Sequence, residues 1–465
     1  MPKKRTTNRD HAKRQQRPMM EDEVVAAQLE QLVTPAVLAQ EKYYRQLGMR
    51  DRILNLPLMV AAVLTLIWRD VAGVRELSRI LDREGFLWCE PTQVSWAGDP
   101  SSSQQALSQR FLTFPAEIFE RIFKELLPEF ERKWHSRKQR PLPDSIQFAR
   151  TKFARIWASD GSTLEAIFKK LDSLAEIPKN KLAGKIGVVI DIVTRLPVEI
   201  WFQEKATASD MKFESDILNV VKPQTLILLD RGFCHYLFWQ QLIERNVHLI
   251  TRLNNKAAFS VERVFTNSYS IRDQVVSMGA GTKTIPCITM RLVEIRMGKT
   301  WYSYLTSVLD PAILPPYVVA DLYGRRWRIE EAFNTVKRLL GLSYIWTGSL
   351  NGIKLQLWGT WLFYAVLVDL GDAVADEVSL PFDRISLEMV YRGLYHFYVA
   401  HHKGLTTDPV QYFAAAKNRD LGVIKSIRKP LKKLIIDPFP DRASREGSFF
   451  FEPSAQTCLT TALAS

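Results

Sequence analysis

Cysteine pairs and chelating histidine clusters are missing from this 465-residue chain. No Cys-x-x-Cys pair occurs, which argues against a zinc ribbon, and four cysteines in so long a chain argue against a disulfide framework. The histidines show no spacing suited to chelation, since His401 and His402 are adjacent. A reducing compartment is therefore expected. The four cysteines are Cys89, Cys234, Cys287 and Cys458.

Apolar runs long enough to cross a bilayer are also missing. The two strongest apolar stretches, Leu56–Trp68 and residues 357–368, are too short to span and predict core helices. The N-terminus is basic but has no apolar segment of the kind that marks a secretion signal. The sequence therefore predicts a cytoplasmic protein with no membrane partner.

What the chain has in excess is positive charge. It contains 63 Lys and Arg against 50 Asp and Glu, a formal net charge of +13. Such an excess favours a polyanionic partner, above all nucleic acid, although it carries no information on base specificity. The basic residues are spread over segments 1–20, 132–140 and 425–433, and each segment alone is more typical of a solvated surface.

Length and periodicity predict several regions rather than one core. The core is predicted to be α/β, with a mixed sheet in residues 145–252 and a last part in residues 312–372. The other predicted regions are a basic disordered arm (1–20), a helical, DNA-binding domain (21–140), a β-rich insertion that interrupts the core (253–311), a helical region (373–440) and a loose tail (441–465).

Four residues near the middle of the chain are the most informative. Tyr323, Arg326, Glu330 and Lys337 follow one another at steps of three, four and seven, so on a helix they share one face. Any single charged pair at this spacing is more often part of a solvated helix face. A carboxylate among two cations and a phenol suits a site that handles a metal and phosphates. A second stripe is predicted to face a core: Leu322, Ile329, Phe333, Val336 and Leu340.

Two aspartates complete a candidate metal site. Asp160 and Asp230 are each predicted to end a strand of the sheet, and ligands gather at strand ends in open α/β sheets. The alternative for each aspartate alone is a turn or helix cap. Together with Glu330 they give three carboxylates and no histidine cluster, a donor set that suits Mg²⁺ better than zinc.

These motifs resemble those of a known family. Tyr323, Arg326, Glu330 and Lys337 match the Tyr-x2-Arg-x3-Glu-x6-Lys signature of the bacterial insertion-sequence transposases of family four, which have a ribonuclease-H-like core and an Asp-Asp-Glu triad. The first acidic motif resembles Asp160-Gly161-Ser162, and the second, Asp-x-Gly-(Phe/Tyr), resembles Asp230-Arg231-Gly232-Phe233. The resemblance covers residues 145–372 well and the N-terminal part more loosely.

The resemblance implies an enzyme with a metal cofactor. Asp160, Asp230 and Glu330 would be the catalytic residues and would hold two Mg²⁺ ions, for which Mn²⁺ can substitute. Water and then the freed 3′-OH would attack phosphodiesters at the ends of the element and in target DNA. The implied partners are double-stranded DNA, as terminal inverted repeats and target, and a second copy of the chain on paired ends. Such a protein would be associated with the nucleoid.

The resemblance also implies contacts with DNA. Tyr323, Arg326 and Lys337 would bind the phosphate beside the cut by charge-assisted hydrogen bonds. A base flipped out near the cut would stack on an aromatic ring, for which Trp301 and Trp327 are candidates, with a core position as the alternative for each. Arg252, after the strand that follows Asp230, is a further candidate for DNA contact. The candidates in this paragraph are Arg252, Trp301, Tyr323, Arg326, Trp327 and Lys337.

Two other functions remain open on the sequence. One is a DNA-binding protein derived from a transposase that has lost catalysis, and the intact triad and signature argue against it. The other is a metal-dependent DNA nuclease without strand transfer. All three share the expected fold, so the fold alone does not choose among them.

Overall fold

The computed structural model describes residues 23–49, 55–69, 71, 73–83, 100–165, 182–205, 208–254, 257–283, 285–346, 349–424 and 434–440. The predicted arm 1–20, the tail 441–465 and the basic segment 425–433 lie outside the described residues. The chain forms two compact units. A helical unit comprises Met1–Pro141, Leu164–Ala183 and Ala332–Ser426, and a sheet unit comprises Leu142–Thr163, Gly184–Glu331 and Ile427–Ser465.

Helices make up most of the described chain outside the sheet. The α-helices are α1 (Glu23–Leu38), α2 (Glu41–Gln46), α3 (Leu56–Trp68), α4 (Val74–Arg83), α5 (Pro100–Thr113), α6 (Ala116–Ser136), α7 (Asp144–Ala149), α8 (Glu214–Val220), α9 (Tyr236–Glu244), α10 (Pro316–Gly324), α11 (Trp327–Asn334), α12 (Leu350–Glu377), α13 (Leu387–His402) and α14 (Pro409–Ala414). Short 3-10 turns cover Asp210–Phe213, Arg231–Phe233, Phe382–Arg384 and Ala416–Leu421, and a π-helical turn covers Thr335–Leu339.

The long helix α12 is the centre of the helical unit. It packs against α3 and α6, and the backbones come close at Gly359, where a Cβ would lie 2.7 Å from Cγ1 of Val63. At 28 residues it is longer than the predicted 357–368, and among the described residues it is the one helix long and apolar enough to cross a membrane. Because 78% of its apolar window is buried, it has the character of a core helix.

Two arginines of the predicted basic segment 132–140 are tied to α12. Arg137 lies 2.8 Å from Asp369 and 2.9 Å from Asp372, and Arg140 lies 2.5 Å from Asp372. The side chains of Arg140 and Asp372 are 4% and 2% exposed. These two arginines therefore stabilise the helical unit and are poor candidates for binding a phosphate backbone.

The sheet unit is built on one mixed sheet, as the α/β prediction requires. Its nine strands lie in the order β3-β2-β1-β4-β5-β9-β8-β7-β6. The strands are β1 (Arg155–Glu165), β2 (Leu182–Asp191), β3 (Pro197–Gln203), β4 (Thr225–Leu229), β5 (His248–Arg252), β6 (Phe259–Asn267), β7 (Ile271–Met278), β8 (Ile288–Met297) and β9 (Thr300–Thr306). β1, β4 and β5 are parallel, and β2 and β3 form an antiparallel hairpin.

The predicted β-rich insertion continues this sheet. β9 pairs antiparallel with β5, with Thr251 opposite Leu305, and β8, β7 and β6 follow in turn. A buried ion pair joins these added strands to the chain before α10. Both Nε and Nη2 of Arg291 lie 2.7 Å from Asp273, both side chains are fully buried, and Nη1 donates to the carbonyl of Leu314.

One predicted feature of the helical unit starts earlier than expected. The serines at 101–103 were expected to precede a short helix, but α5 begins at Pro100 and includes them. Proline suits the first turn of a helix because its missing N–H needs no partner there. Arg110 of the same helix donates a hydrogen bond to the hydroxyl of Tyr44.

Candidate active site

Asp160 and Asp230 lie on adjacent parallel strands of the sheet unit. Asp230 directly follows β4, as predicted, and its side chain caps no turn among the described residues. Asp160 differs from the prediction, since β1 runs on to Glu165 and does not end at this residue. Its ladder with β4 nevertheless stops one residue earlier, at Ser159 opposite Leu229, and β1 continues because β2 flanks its other edge.

Arg326 is the residue on which the three carboxylates converge. Its Nη1 lies 2.7 Å from Oδ2 of Asp160, and its Nη2 lies 3.5 Å from Asp230 and 3.8 Å from Glu330. The Arg326 side chain is 8% exposed, as against 40% for Asp230 and 36% for Glu330. The structure therefore brings the predicted triad around one cation, with Asp160 at the buried end.

Burial and charge set the protonation of this cluster. Burial raises the pKa of Asp160 to about 7, although Arg326 opposes the rise, and Glu330 adds to it. Burial alone would lower the pKa of Arg326, but Asp160 and Asp230 more than offset this and raise it. Burial also raises the pKa of Tyr323 to about 12 and keeps it a neutral phenol. Burial thus favours the protonated form of the Asp160 carboxyl up to a higher pH than for an exposed aspartate.

The prediction that Tyr323, Arg326 and Glu330 share one helical face is only partly right. The chain turns at Arg325 and Arg326, between α10 and α11. Here the amide of Arg326 bonds to the carbonyl of Tyr323 and that of Arg328 to Arg325, so three-residue steps replace the regular helical ladder. Arg326 and Glu330 still face each other across one turn.

Lys337 lies in the other unit from the triad. It sits in the π-helical turn Thr335–Leu339, with its Nζ 5.9 Å from the centroid of the Phe333 ring. Such turns interrupt α-helices and often occur at functional sites. The predicted apolar stripe beside it is buried as expected: Leu322, Ile329, Phe333, Val336 and Leu340.

At this site three carboxylates surround a guanidinium. Among the described residues, no group of three or more His, Cys, Asp or Glu side chains is arranged to hold a metal ion. Asp160, Asp230 and Glu330 nevertheless all lie within 4 Å of the Arg326 guanidinium. Carboxylate oxygens are hard donors of the kind that divalent ions such as Mg²⁺ bind, so the residue types present fit such an ion.

Arg252 lies close to the signature tyrosine. It ends β5, pairs in register with Tyr304 of β9, and its Cζ is 5.6 Å from the ring of Tyr302. The ring of Tyr304 in turn lies 5.4 Å from that of Tyr323. Tyr304 therefore lies between Arg252, its partner across the strands, and Tyr323 of the signature. No motif in the sequence marks Tyr304 as part of the site.

The two tryptophan candidates differ in exposure. Trp327, next to Arg326, is 63% exposed, and the Arg326 Cζ lies 6.0 Å from its ring centroid. Trp301 is covered by Arg272, whose Cζ lies 4.5 Å from its ring. On β9 it also faces away from Tyr304, because side chains alternate along a strand. Trp327 is therefore the better placed of the two to stack on a base.

An ion pair beside the triad was not predicted at all. Asp210 lies 2.7 Å from Nζ of Lys185, against the backbone of Gly161 and Gly232, the glycines of the two acidic motifs. By contrast, Asp191, which ends β2, accepts hydrogen bonds from its own turn. The two glycines were the only sequence signal for this contact, and they do not say which residue approaches them.

Sequence comparisons relate part of the chain to transposases. Residues 175–366, less than half of the chain, match the Transposase DDE domain, a range that includes Asp230 and Glu330 and begins after Asp160. A Sinorhizobium fredii protein named "Putative transposase y4zB" is 26% identical over 250 residues, which make up 50% of this chain and 67% of that protein.

A solved structure shows a more distant likeness. It is the piggyBac transposase synaptic complex with hairpin DNA, which is 10% identical with a TM-score of 0.39, over 88% of this chain and 86% of that one. The two sequence matches confirm the predicted resemblance to transposases, while the assignment to family four stays a prediction. The chain thus carries, over residues 175–366, a region similar to the transposase DDE domain.

Proposed function

We propose that the chain is an insertion-sequence transposase that cuts DNA at the ends of its element and joins the 3′-OH ends to target DNA. The observation that carries this proposal is the convergence of Asp160, Asp230 and Glu330 on Arg326. Transposase DDE domains generally use divalent metal ions, and a ribonuclease-H-like core would place such carboxylates at neighbouring strand ends.

The triad would hold two Mg²⁺ ions, with Mn²⁺ as a substitute. When bound, these ions would activate the attacking oxygen and stabilise the leaving oxygen. The buried Asp160, held by the Gly161 amide at 2.8 Å, has a fixed orientation, whereas Asp230 and Glu330 are partly exposed and open to substrate. Asp160 must be ionised to act as a ligand, and a bound divalent ion would favour that ionised form against the burial that raises its pKa.

The remaining residues of the proposed site would position DNA. Arg326, once displaced from the carboxylates, and the buried phenol of Tyr323 would bind the phosphate beside the cut, and Lys337 would add charge. Arg252 would contact the backbone, and the exposed Trp327 would hold a flipped base. We further propose that the protein works as a homodimer on paired ends, at the nucleoid in the cytoplasm.

The test uses purified protein and a labelled duplex that carries one end of the element. With Mg²⁺ we expect cleavage at that end and joined products with a second duplex, and we expect neither in EDTA nor with Asp160→Asn or Glu330→Gln. The matched control is Asp191→Asn, which removes a charge from the same sheet but keeps the oxygen that accepts from Val193. It should cut like the parent.

The products separate the alternatives. Cleavage without joined products would select the nuclease. Tight binding without cleavage, in Mg²⁺ and in Mn²⁺, would select the DNA-binding protein that has lost catalysis. If Glu330→Gln folds normally yet loses binding and cleavage equally, the role given to Glu330 is wrong.

A further inference from the structure

We infer that the ion pair of Asp210 and Lys185 positions the two aspartates of the site through the glycine that follows each of them. Asp210 is thus a positioning residue and not a ligand in this scheme. The inference rests on the proposed function, because a positioned triad matters only to a protein that uses it.

One carboxylate contacts both acidic motifs. A Cβ at Gly161 would lie 1.9 Å from Oδ1 of Asp210, and a Cβ at Gly232 would lie 3.1 Å from Oδ2. Each oxygen therefore touches the backbone of one motif. Gly161 follows Asp160 directly and Gly232 lies two residues after Asp230, so the Asp210 carboxylate would set the spacing between the strand that carries Asp160 and the turn that follows Asp230.

Lys185 orients this carboxylate. Its Nζ lies 2.7 Å from Oδ1 of Asp210 and donates to the carbonyl of Ala208 at 2.6 Å. The side chains of Lys185 and Asp210 are 11% and 28% exposed. Since Lys185 lies in β2, the pair also ties the turn of Asp210 to the sheet.

The turn that carries Asp210 is anchored to the sheet by a buried phenylalanine. Phe213, at its other end, is 1% exposed and packs on β2, where a Cβ at Gly187 would lie 2.6 Å from its Cγ. Its ring stacks on Trp201 of β3 at a centroid distance of 6.3 Å. Because close packing around Phe213 leaves little room for relaxation, the turn holds Asp210 in a fixed position. Asp210 can then hold in place the backbone segments that it contacts.

The contact reaches the Asp160 carboxylate by one further bond. The amide of Gly161 donates to Oδ1 of Asp160 at 2.8 Å. If Asp210 is removed, the backbone at Gly161 gains space, and the orientation of this bond is no longer fixed. Residues that orient metal ligands in this way typically change metal affinity or activity by about 10–100-fold when mutated.

The first test measures Mn²⁺ binding by electron paramagnetic resonance, with the full chain and no DNA. Asp210→Asn and Lys185→Met should each weaken binding by about 10–100-fold. Because the pair acts as a unit, the double variant should be no weaker than Asp210→Asn. In the cleavage assay kcat should fall while KM for the duplex stays unchanged. Asp216→Asn, on the helix that follows the turn, is the matched control and should bind as the parent does.

The second test uses a steric clash between a methyl group at position 161 and the Asp210 carboxylate. Because it compares a double variant with its two single variants, it does not depend on the folding of one variant. Gly161→Ala should weaken Mn²⁺ binding because its methyl meets the Asp210 carboxylate. Adding Asp210→Ala removes that obstacle, so the double variant should bind no more weakly than Asp210→Ala alone. A double variant weaker than both singles would overturn the inference, since the glycine would then matter for some other reason.

The outcomes separate this inference from the proposed function. If the parent binds Mn²⁺ and cuts DNA but Asp210→Asn and Asp210→Ala do the same at parental levels, the inference fails and the proposed function stands. A parent that neither binds Mn²⁺ nor cuts the element end would overturn both.

Discussion

Replacing Arg326 with methionine should make the metal-free protein less stable and its metal binding tighter. Methionine keeps an unbranched apolar stem of similar length but leaves Asp160 buried beside two other carboxylates without a cation. A divalent ion would supply the missing charge and would no longer have to displace a guanidinium from among its ligands.

The size of both effects follows from the geometry around Arg326. The contact with Asp160, at 2.7 Å and with both side chains at most 10% exposed, is of the kind whose loss costs about 3–5 kcal/mol. The contacts with Asp230 and Glu330, which are 40% and 36% exposed, are screened by water and add at most about 1 kcal/mol each. If about 3 kcal/mol of this opposes the metal, the variant should bind Mn²⁺ roughly 100-fold more tightly.

Thermal unfolding with and without Mn²⁺, together with Mn²⁺ titration, measures both changes. At pH 8 in EDTA, Arg326→Met should unfold at a lower temperature than the parent, and Mn²⁺ should raise its unfolding temperature by more than it raises that of the parent. Arg231→Met is the control, since Arg231 adjoins Asp230 in sequence but its side chain is exposed. Equal or weaker Mn²⁺ affinity in Arg326→Met would refute this account of the site.

Three further changes should have separate outcomes. Arg291→Met leaves Asp273 buried without its partner and should cost about 3–5 kcal/mol in urea unfolding, whereas the exposed Arg263→Met should change stability by less than about 0.5 kcal/mol. Burial raises the pKa of Asp160 to about 7, so the fold favours its protonated form. In EDTA the resulting stability should be present below about pH 4 and lost as the pH rises through about 7, and Asp160→Asn should flatten this slope in thermal unfolding. Trp327→Ala should leave stability nearly unchanged because the side chain is 63% exposed, but it should slow cleavage of the element end.

The sequence was most informative where local patterns determine structure. The strand before Asp230 is apolar throughout and is buried throughout, as expected for the middle of a covered sheet. The stripe from Leu322 to Leu340 lies where helical periodicity places it, because one face is buried. The end of β1 was placed too early, at Asp160, because a strand continues as long as either neighbour pairs with it. That information lies in β2, more than twenty residues away, and not in the residues around Asp160.

The least predictable contacts join residues far apart in the chain. Nothing near Asp210 shows that its carboxylate rests against Gly161 and Gly232, since the contact exists only once β1, β2 and β4 are paired. The glycine in each of the two acidic motifs is the one local sign of this contact. A side chain at Gly161 would collide with Asp210, so the glycine there is required by a neighbour and not by its own turn.

Arg326 unites the chemistry expected from the sequence with the geometry of the sheet unit. The resemblance to transposases implies that Arg326 binds a DNA phosphate, whereas in the structure Arg326 binds Asp160. A guanidinium donates to carboxylates and phosphates with the same planar geometry, so one side chain can serve both. If divalent ions take the carboxylates, the Arg326 guanidinium becomes available to bind a phosphate. Metal binding and DNA binding would then favour each other, because each takes one partner of the same ion pair.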